Sequence, residues 1–410
     1  MHMLIDCWQI TQHTISAFDL IVKFFKTIGD FLPFNEPASA QTGDGHLEDL
    51  VIARMCDIVA RLLVILLESL SVPALEQTFD CTFQASRTRR AHLYQALQEY
   101  GNFLERGVNP STLEEHEWKR LHGMRALESS DEAEAKRRWN EIQLWLAGTD
   151  WLQTHQDVLE VRNQNPGSGT WLLKDSRYTA WRSDDVPQAP MLWLKGILGA
   201  GKTFLVAGVV ENCRRDTSVS TALFYCHHAD PRRTRFMPIM RTLLAQLLRI
   251  DHILLPWCYR QYVGSNQLAL TDEKMCAELL RTILLCNHRT VVILDGLDEC
   301  DGRSRALLLN FFKQAISDCE AAESGKLRIL IASRDEDDIR KGLSAATQIS
   351  VSHGYHEADI RRYIQRGCQK LREMFNDLDQ DDIDCIIERT LDRTDGRFES
   401  TKIMYSPLIR

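Results

Sequence analysis

The sequence has no CxxC pair. Its twelve cysteines are scattered, and no two lie within three residues of each other, which excludes a zinc or redox knuckle. Cys56, Cys226 and Cys286 sit inside apolar runs, where a buried thiol in a reducing compartment is the expectation. Long hydrophobic runs are also lacking. The most apolar stretch, "LLVILL" at 62–67, is flanked by Arg61 and Glu68 and is too short to cross a bilayer. The start, "MHMLIDCWQI", has no basic region, and Asp6 interrupts any apolar core, so a secretory signal is not expected. No block of Lys or Arg forms a basic face, and the net charge is −8, which argues against a nucleic-acid partner. A cytoplasmic protein without a membrane span is the resulting expectation.

What is present fits two or more domains. A length of 410 residues exceeds one compact core. Residues 1–150 read as a helical N-terminal domain. Apolar positions recur at helical spacing in 1–34, helices are expected over 46–71 and roughly 87–106, and more helices run from "NPST" (109–112) to about 148. "SSDE" at 129–132 has the form of a capping box, with Ser129 and Glu132 three apart. Residues 151–190 read as a linker and capping segment, 191–352 as an α/β core, and 353–410 as a helical extension. In the core, "MLWL", "ALFYC", "VVILD" and "LRILIAS" alternate with helical stretches. Continuous apolar strands between helices predict a three-layer, mostly parallel sheet buried on both faces.

"GILGAGKT", Gly196 to Thr203, fits GxxxxGK[ST], with a strand before it and an apolar helix after it. Glycines let the backbone curl so that successive N–H groups face phosphate oxygens, and the following helix adds its positive end. Lys202 would reach the β- and γ-phosphates and Thr203 would ligate Mg²⁺. "VVILDGLDEC" (291–300) supplies the acidic partner. Asp295 ends a strand, where open α/β sheets bind ligands, and would hold Mg²⁺; Asp298 and Glu299 would orient an attacking water. "LRILIASR" places Arg334 at a third strand tip, as a γ-phosphate sensor. "ALFYC" falls between the two motifs in the chain, and an extra strand is therefore expected between the two motif strands.

Other patterns carry less. "HEWKRLH" (116–122) has histidines six apart, off the spacing of a zinc helix. "DLDQDDIDCIIE" (377–388) lacks the glycine of a calcium loop. "RDEDD" (334–338) reads as a solvated turn. His227 and His228 read as loop residues without a role.

"MLWLKGILGAGKTFL", "ALFYCHHADPRRTRFMPIMRTLLAQLL", "VVILDGLDEC" and "LRILIASRD" together resemble the NACHT class of STAND nucleotide switches, in the NOD-like receptor form common in filamentous fungi. The resemblance covers about 150–400, and "DGLDE" is its most discriminating piece. It implies binding of ATP or ADP with Mg²⁺, slow hydrolysis, and oligomerisation with copies or related STAND proteins. The implied setting is intracellular recognition, including heterokaryon incompatibility and innate-immunity-like responses. By resemblance Gly196, Gly199, Gly201, Lys202 and Thr203 form the Walker A loop. Asp295, Asp298 and Glu299 form Walker B, and Arg334 is the sensor. In the same family a Gly–Thr–Trp-like turn lies on the base side of the nucleotide, which implies that role for Gly169, Thr170 and Trp171. "RTDGRFESTKIMYSPLIR" departs from the family after Phe398, and a divergent or truncated tail is expected. Two other classes remain open at this point: a P-loop phosphotransferase on a small substrate, and a non-catalytic partner of full-length relatives.

Overall fold

The computed structural model describes Lys26, residues 45–70, 87–106, 110–183, 185–251, 254–287 and 289–351, and scattered positions from 359 to 389. The expected helices of 1–34 lie outside them apart from Lys26, as do most of 377–388 and the tail after Phe398. The described elements begin with α1 (Gly45–Leu70), α2 (Arg87–Arg106), α3 (Pro110–Leu146), α4 (Leu152–Gln164), α5 (Thr170–Lys174) and α6 (Ser176–Ser183). The core follows with β1 (Met191–Lys195), α7 (Lys202–Arg214), β2 (Ser220–Tyr225), α8 (Phe236–Ile250), α9 (Leu255–Ser265) and α10 (Glu273–Cys286). It is completed by β3 (Thr290–Asp295), α11 (Gly302–Ala322), β4 (Leu327–Ser333), α12 (Asp337–Gly342) and β5 (Thr347–Ser350). Two compact units result. One holds residues 1–145 with 251–269, and the other holds 146–250 with 270–410. The excursion 251–269, which carries α9, has no place in a linear partition at residue 150.

The first unit is helical. Val51, Met55, Ile58 and Leu62 recur every three or four residues on α1 and are buried against Leu93, Leu97 and Tyr100 of α2 and Leu113 and Met124 of α3. Glu117 on α3 is the polar hub of this unit. Tyr100 Oη donates to it at 2.5 Å, Arg120 grips both of its oxygens at 2.9 and 3.0 Å, and the Arg120 contact holds its carboxyl down at about 2. The expected capping box at Ser129 is corrected: α3 runs unbroken through 129–132. Asp131 is instead tied to Arg89 of α2 at 2.8 Å, and pairs such as Arg138–Glu134 continue the helix ladder through the segment. His116 and His122 point to different partners, Glu99 and the Trp118 carbonyl, so no zinc helix forms there.

The second unit is built on a five-stranded sheet of order β2-β3-β4-β1-β5, parallel at every pairing. All six residues of β3 and all seven of β4 are buried, which explains their apolar runs, VVIL and ILIA. One correction concerns strand order. The strand between β1 and β3 is β4, whereas "ALFYC" forms β2 at the outer edge. Chain order does not set sheet order here: after β1 the chain crosses through α7 to the far edge at β2, and β3 and β4 then step back towards β1. A fifth strand, "TQIS", closes the other edge and was not foreseen: its short polar run lacks the apolar signature of the others. "RDEDD", expected as a turn, instead leads into α12, with Asp337 and Asp338 in its first turn.

Two buried polar groups fix the flanking segments. Arg328 on β4 is wholly buried and donates to the carbonyls of Trp181, Arg182 and Asp185, pinning α6 to the sheet. Arg328→Leu strands those acceptors and is expected to lower stability by about 3 kcal/mol or more, read from denaturant unfolding; a loss below about 1 kcal/mol contradicts that role. On the same face, where Tyr178 and Trp181 of α6 share a core with α7, α4 docks on α7. Arg162 donates to the Phe204 carbonyl at 2.7 Å and stacks on its ring, and a side chain at Gly208 would meet the guanidinium at 2.7 Å, so glycine there admits the arginine.

His155 of α4 hydrogen-bonds the Tyr225 hydroxyl at 2.8 Å, and burial, aided by the Arg214 charge, pushes its pKa down to about 4. The imidazole is therefore neutral in the fold. Below about pH 6.5 the unfolded chain takes a proton that the folded chain refuses, so this stability is present above that pH and is lost on descent towards pH 4. Wild type is expected to lose about 3 kcal/mol relative to His155→Gln between pH 7 and pH 4. Parallel pH profiles for the two chains would refute this.

Candidate functional site

The parallel register aligns three strand ends. Lys195 of β1 pairs with Ser333 of β4, and Ala332 of β4 pairs with Asp295 of β3. The loop after β1 and the acidic turn after β3 therefore open on the same edge, on either side of β4. Backbone bonds lock both: Gly196 N–H donates to the Ser333 carbonyl at 3.2 Å and Gly296 N–H to the Ala332 carbonyl at 2.9 Å.

Three glycines shape the loop from Gly196 to Thr203 in different ways. Gly199 and Gly201 have φ of 76° and 80°, a conformation that side chains with a Cβ adopt only under strain. Gly196 has no room for a side chain, since a Cβ would lie 2.9 Å from Val351. Gly201 caps α7, whose first residue is Lys202. Lys202 Nζ donates to the carbonyls of Gly196 and Ile197 at 2.8 and 2.9 Å, so the ammonium sits inside the curl of its own loop. Burial lowers its pKa, opposed by the charges of Asp298, Asp295 and Glu299. Lys202 is thus within electrostatic reach of all three carboxylates and of the Arg334 guanidinium.

Asp295 is buried at the end of β3. Burial raises its pKa to about 6, while the Thr203 hydrogen bond and the Lys202 charge pull the other way. After it, Gly296 at φ 78° turns the chain into a single 3₁₀ turn, Leu297–Glu299. Asp298 and Glu299 diverge from there. Both Asp298 oxygens face Arg334, one taking the backbone N–H at 2.9 Å and the other Nε at 2.6 Å. Glu299 Oε2 turns to the end of β2, where it accepts the His228 N–H at 2.8 Å and lies 3.2 Å from His228 Nδ1.

The structure therefore brings Lys202, Thr203, Asp295, Asp298, Glu299 and Arg334 to one edge. Gly169 lies beside the first turn of α7, against the two residues that follow Thr203. Gly169 has φ of 73°, and a Cβ on it would meet Leu205 at 2.8 Å and Phe204 at 3.3 Å. Its N–H donates to Asp359 at 2.8 Å, Thr170 Oγ1 donates to the Gly167 carbonyl at 3.0 Å, and Trp171 packs on the core beneath α7. His228 was not foreseen as part of the edge. The signal for it was positional: the residues just past β2 adjoin the turn after β3, because those strands are neighbours.

A P-loop curl on one side of an intervening strand and a buried aspartate on the other define a P-loop NTPase core of the additional-strand type. Residues 167–334 match the family described as Nephrocystin 3, N-terminal. The chain is 25% identical over 187 residues to vegetative incompatibility protein HET-E-1 of Podospora anserina, a match covering 43% of this chain and 13% of that protein. The S. cerevisiae Hsp104-ADP complex aligns with 98% of this chain and 64% of its own, at 12% identity and a TM-score of 0.26, too low to carry any argument. The matched residues 167–334 include the Gly196–Thr203 loop, β3 with its acidic turn, and β4, the elements that build this edge. Among the described residues, no helix is long and apolar enough to cross a membrane.

The Asp298–Arg334 pair yields a stability test. The Asp298 carboxylate is nearly buried while Arg334 is 43% exposed. Asp298→Ala leaves the Arg334 N–H without its acceptor and is expected to cost about 1–3 kcal/mol in the nucleotide-free protein. Arg334→Ala keeps that backbone bond and is expected to cost at most about 1 kcal/mol. Thermal or denaturant unfolding distinguishes them, and equal losses would contradict the assignment.

Proposed function

We propose that this edge binds ATP and ADP with Mg²⁺ and that the chain acts as a STAND-type signalling switch. The observation that carries the reading is the placement of the Lys202 ammonium inside the Gly196–Thr203 curl, beside the Thr203–Asp295 hydrogen bond. The curl, the Lys202 ammonium and the N-terminus of a 13-residue helix together suit a polyphosphate. In the nucleotide-bound chain, Lys202 would exchange its two carbonyl partners for phosphate oxygens.

The donor set also fits the metal. The Thr203 hydroxyl and the Asp295 carboxylate are hard oxygen donors of the kind Mg²⁺ takes. They would hold the ion, directly or through its waters, and it would neutralise charge on the bound phosphates. A cation there would also relieve the desolvation that raises the Asp295 pKa. Asp298 holds Arg334 at the strand tip, ready to meet the terminal phosphate. Glu299, aimed by the His228 N–H, orients a water and accepts its proton, which gives slow hydrolysis.

The two nucleotide states differ in what Lys202 and Arg334 can contact. That difference would change the surfaces offered to other chains and couple nucleotide state to self-association, or to association with related STAND proteins. The similarity to a vegetative incompatibility protein supports a cytoplasmic role in intracellular recognition of that kind.

Affinity for a fluorescent ATP analogue tests the reading. Lys202→Ala removes charged hydrogen bonds to phosphate and is expected to weaken binding by about 10–100-fold or more with the fold intact. Glu299→Gln is expected to keep nucleotide affinity and to slow hydrolysis by about 100-fold. Undiminished affinity in the Lys202 variant would overturn the assignment.

A further inference from the structure

We propose that His227, His228 and Glu299 form a second cation site, for a zinc-class dication, at the rim of the nucleotide site. The three residues come from two neighbouring strand ends. The Cys226 N–H donates to the Asp295 carbonyl at 2.8 Å, which fixes the exit of β2 against the end of β3. The loop beyond is itself tied down: Asp230 N–H donates to the His227 carbonyl at 3.0 Å and His227 N–H to the Arg233 carbonyl at 3.3 Å. The two histidine rings lie nearly parallel, 10° apart with centroids at 5.2 Å. One ligating atom from each of the three side chains lies within 4.8 Å of the others.

The distances suit a small tetrahedral ion. Zinc bonds of about 2.0–2.2 Å place ligand atoms about 3.3 Å apart. His228 Nδ1 and Glu299 Oε2 already stand 3.2 Å apart, close to the spacing two zinc ligands take. His227 and His228 are exposed, and turning the His227 ring away from the Ala229 N–H, which its Nδ1 accepts at 3.3 Å, would close the remaining gap. Glu299 remains part-exposed, which leaves a fourth position open to water.

Donor chemistry separates this site from the magnesium site. Two imidazoles and a carboxylate favour zinc, copper or nickel, whereas Thr203 and Asp295 offer only oxygen. The two sites share the acidic turn 295–299 but no ligand. Zinc would engage the Glu299 carboxylate and withdraw it from the water it orients. The predicted effect is slower hydrolysis with nucleotide still bound. That consequence rests on the role given to Glu299 above; metal binding itself does not.

The test uses the full chain after chelator treatment, without nucleotide, and cobalt(II) as the probe. One cobalt per chain is expected, with a nitrogen–oxygen spectrum free of thiolate charge-transfer bands, which excludes capture by cysteines. His227→Ala and His228→Ala are each expected to weaken binding at least about tenfold, with zinc competing for the same site. Exposure of both side chains means the variants keep the wild-type unfolding midpoint, measured in parallel. No binding, a thiolate spectrum, or unchanged affinity in both variants overturns the site. In a separate arm with excess Mg²⁺ and ATP, zinc is expected to slow wild-type hydrolysis at least about tenfold and to spare the His227→Ala chain. Cobalt binding that follows the histidines while hydrolysis ignores zinc keeps the site and overturns the role of Glu299 instead.

Discussion

A buried carboxylate at a strand end is costly unless something nearby compensates it. Asp295 is such a group, and the architecture around it supplies the compensation. The Thr203 hydroxyl and the Lys202 ammonium reach it from across β4. They can do so only because β1, β4 and β3 run parallel with their ends aligned to within one residue. Removal of β4 from between the motif strands, or a slipped register, would leave Asp295 buried and unanswered. The rest of the second unit serves that alignment. Apolar strands fill both faces of the sheet, and Arg328 clamps α6 to it. Arg162 seats α4 against the helix that begins at Lys202, and His155 ties α4 to Tyr225 at the end of β2.

The outer residues of the edge are held in pairs. Asp298 is committed to Arg334, and Glu299 to the His228 backbone. Two adjacent acids on one turn thus have different surroundings: one fixes a cation at the tip of β4, and the other faces the end of β2 beside two exposed imidazoles. A change at the end of β2 therefore reaches Glu299 without touching the loop that carries Lys202. Under the proposed function, that separation would let nucleotide binding and the orientation of water be controlled independently.

Much of this was legible in the residues because the chemistry is local. GxxxxGKT needs its glycines and lysine at fixed offsets, and a strand buried on both faces has to be apolar along its length. The helical stripes of α1 and α2 declared themselves in the same way. Sheet order was not legible, since pairing is decided by packing between distant segments: β4 rather than β2 separates the motif strands. β5 escaped because "TQIS" is a short polar edge strand, and α3 concealed its continuity behind Ser129 and Ser130, which sit mid-helix on its exposed side. His228 looked like a loop residue because its partner, Glu299, is adjacent only in space. Gly169 and Thr170 were singled out by likeness to a family; in the fold Gly169 packs beside Phe204 and Leu205, just after the P-loop, and Asp359 holds its N–H.

The central claim is that Lys202, Thr203 and Asp295 together hold a magnesium-bound nucleotide. Denaturant unfolding of the wild-type chain, with and without excess ATP or ADP and in Mg²⁺ or chelator, tests it most directly. At one hundred times the dissociation constant, nucleotide with Mg²⁺ is predicted to add about 2.7 kcal/mol of stability, with a smaller gain in chelator. An unfolding curve that no nucleotide shifts, with Mg²⁺ present, would contradict the account.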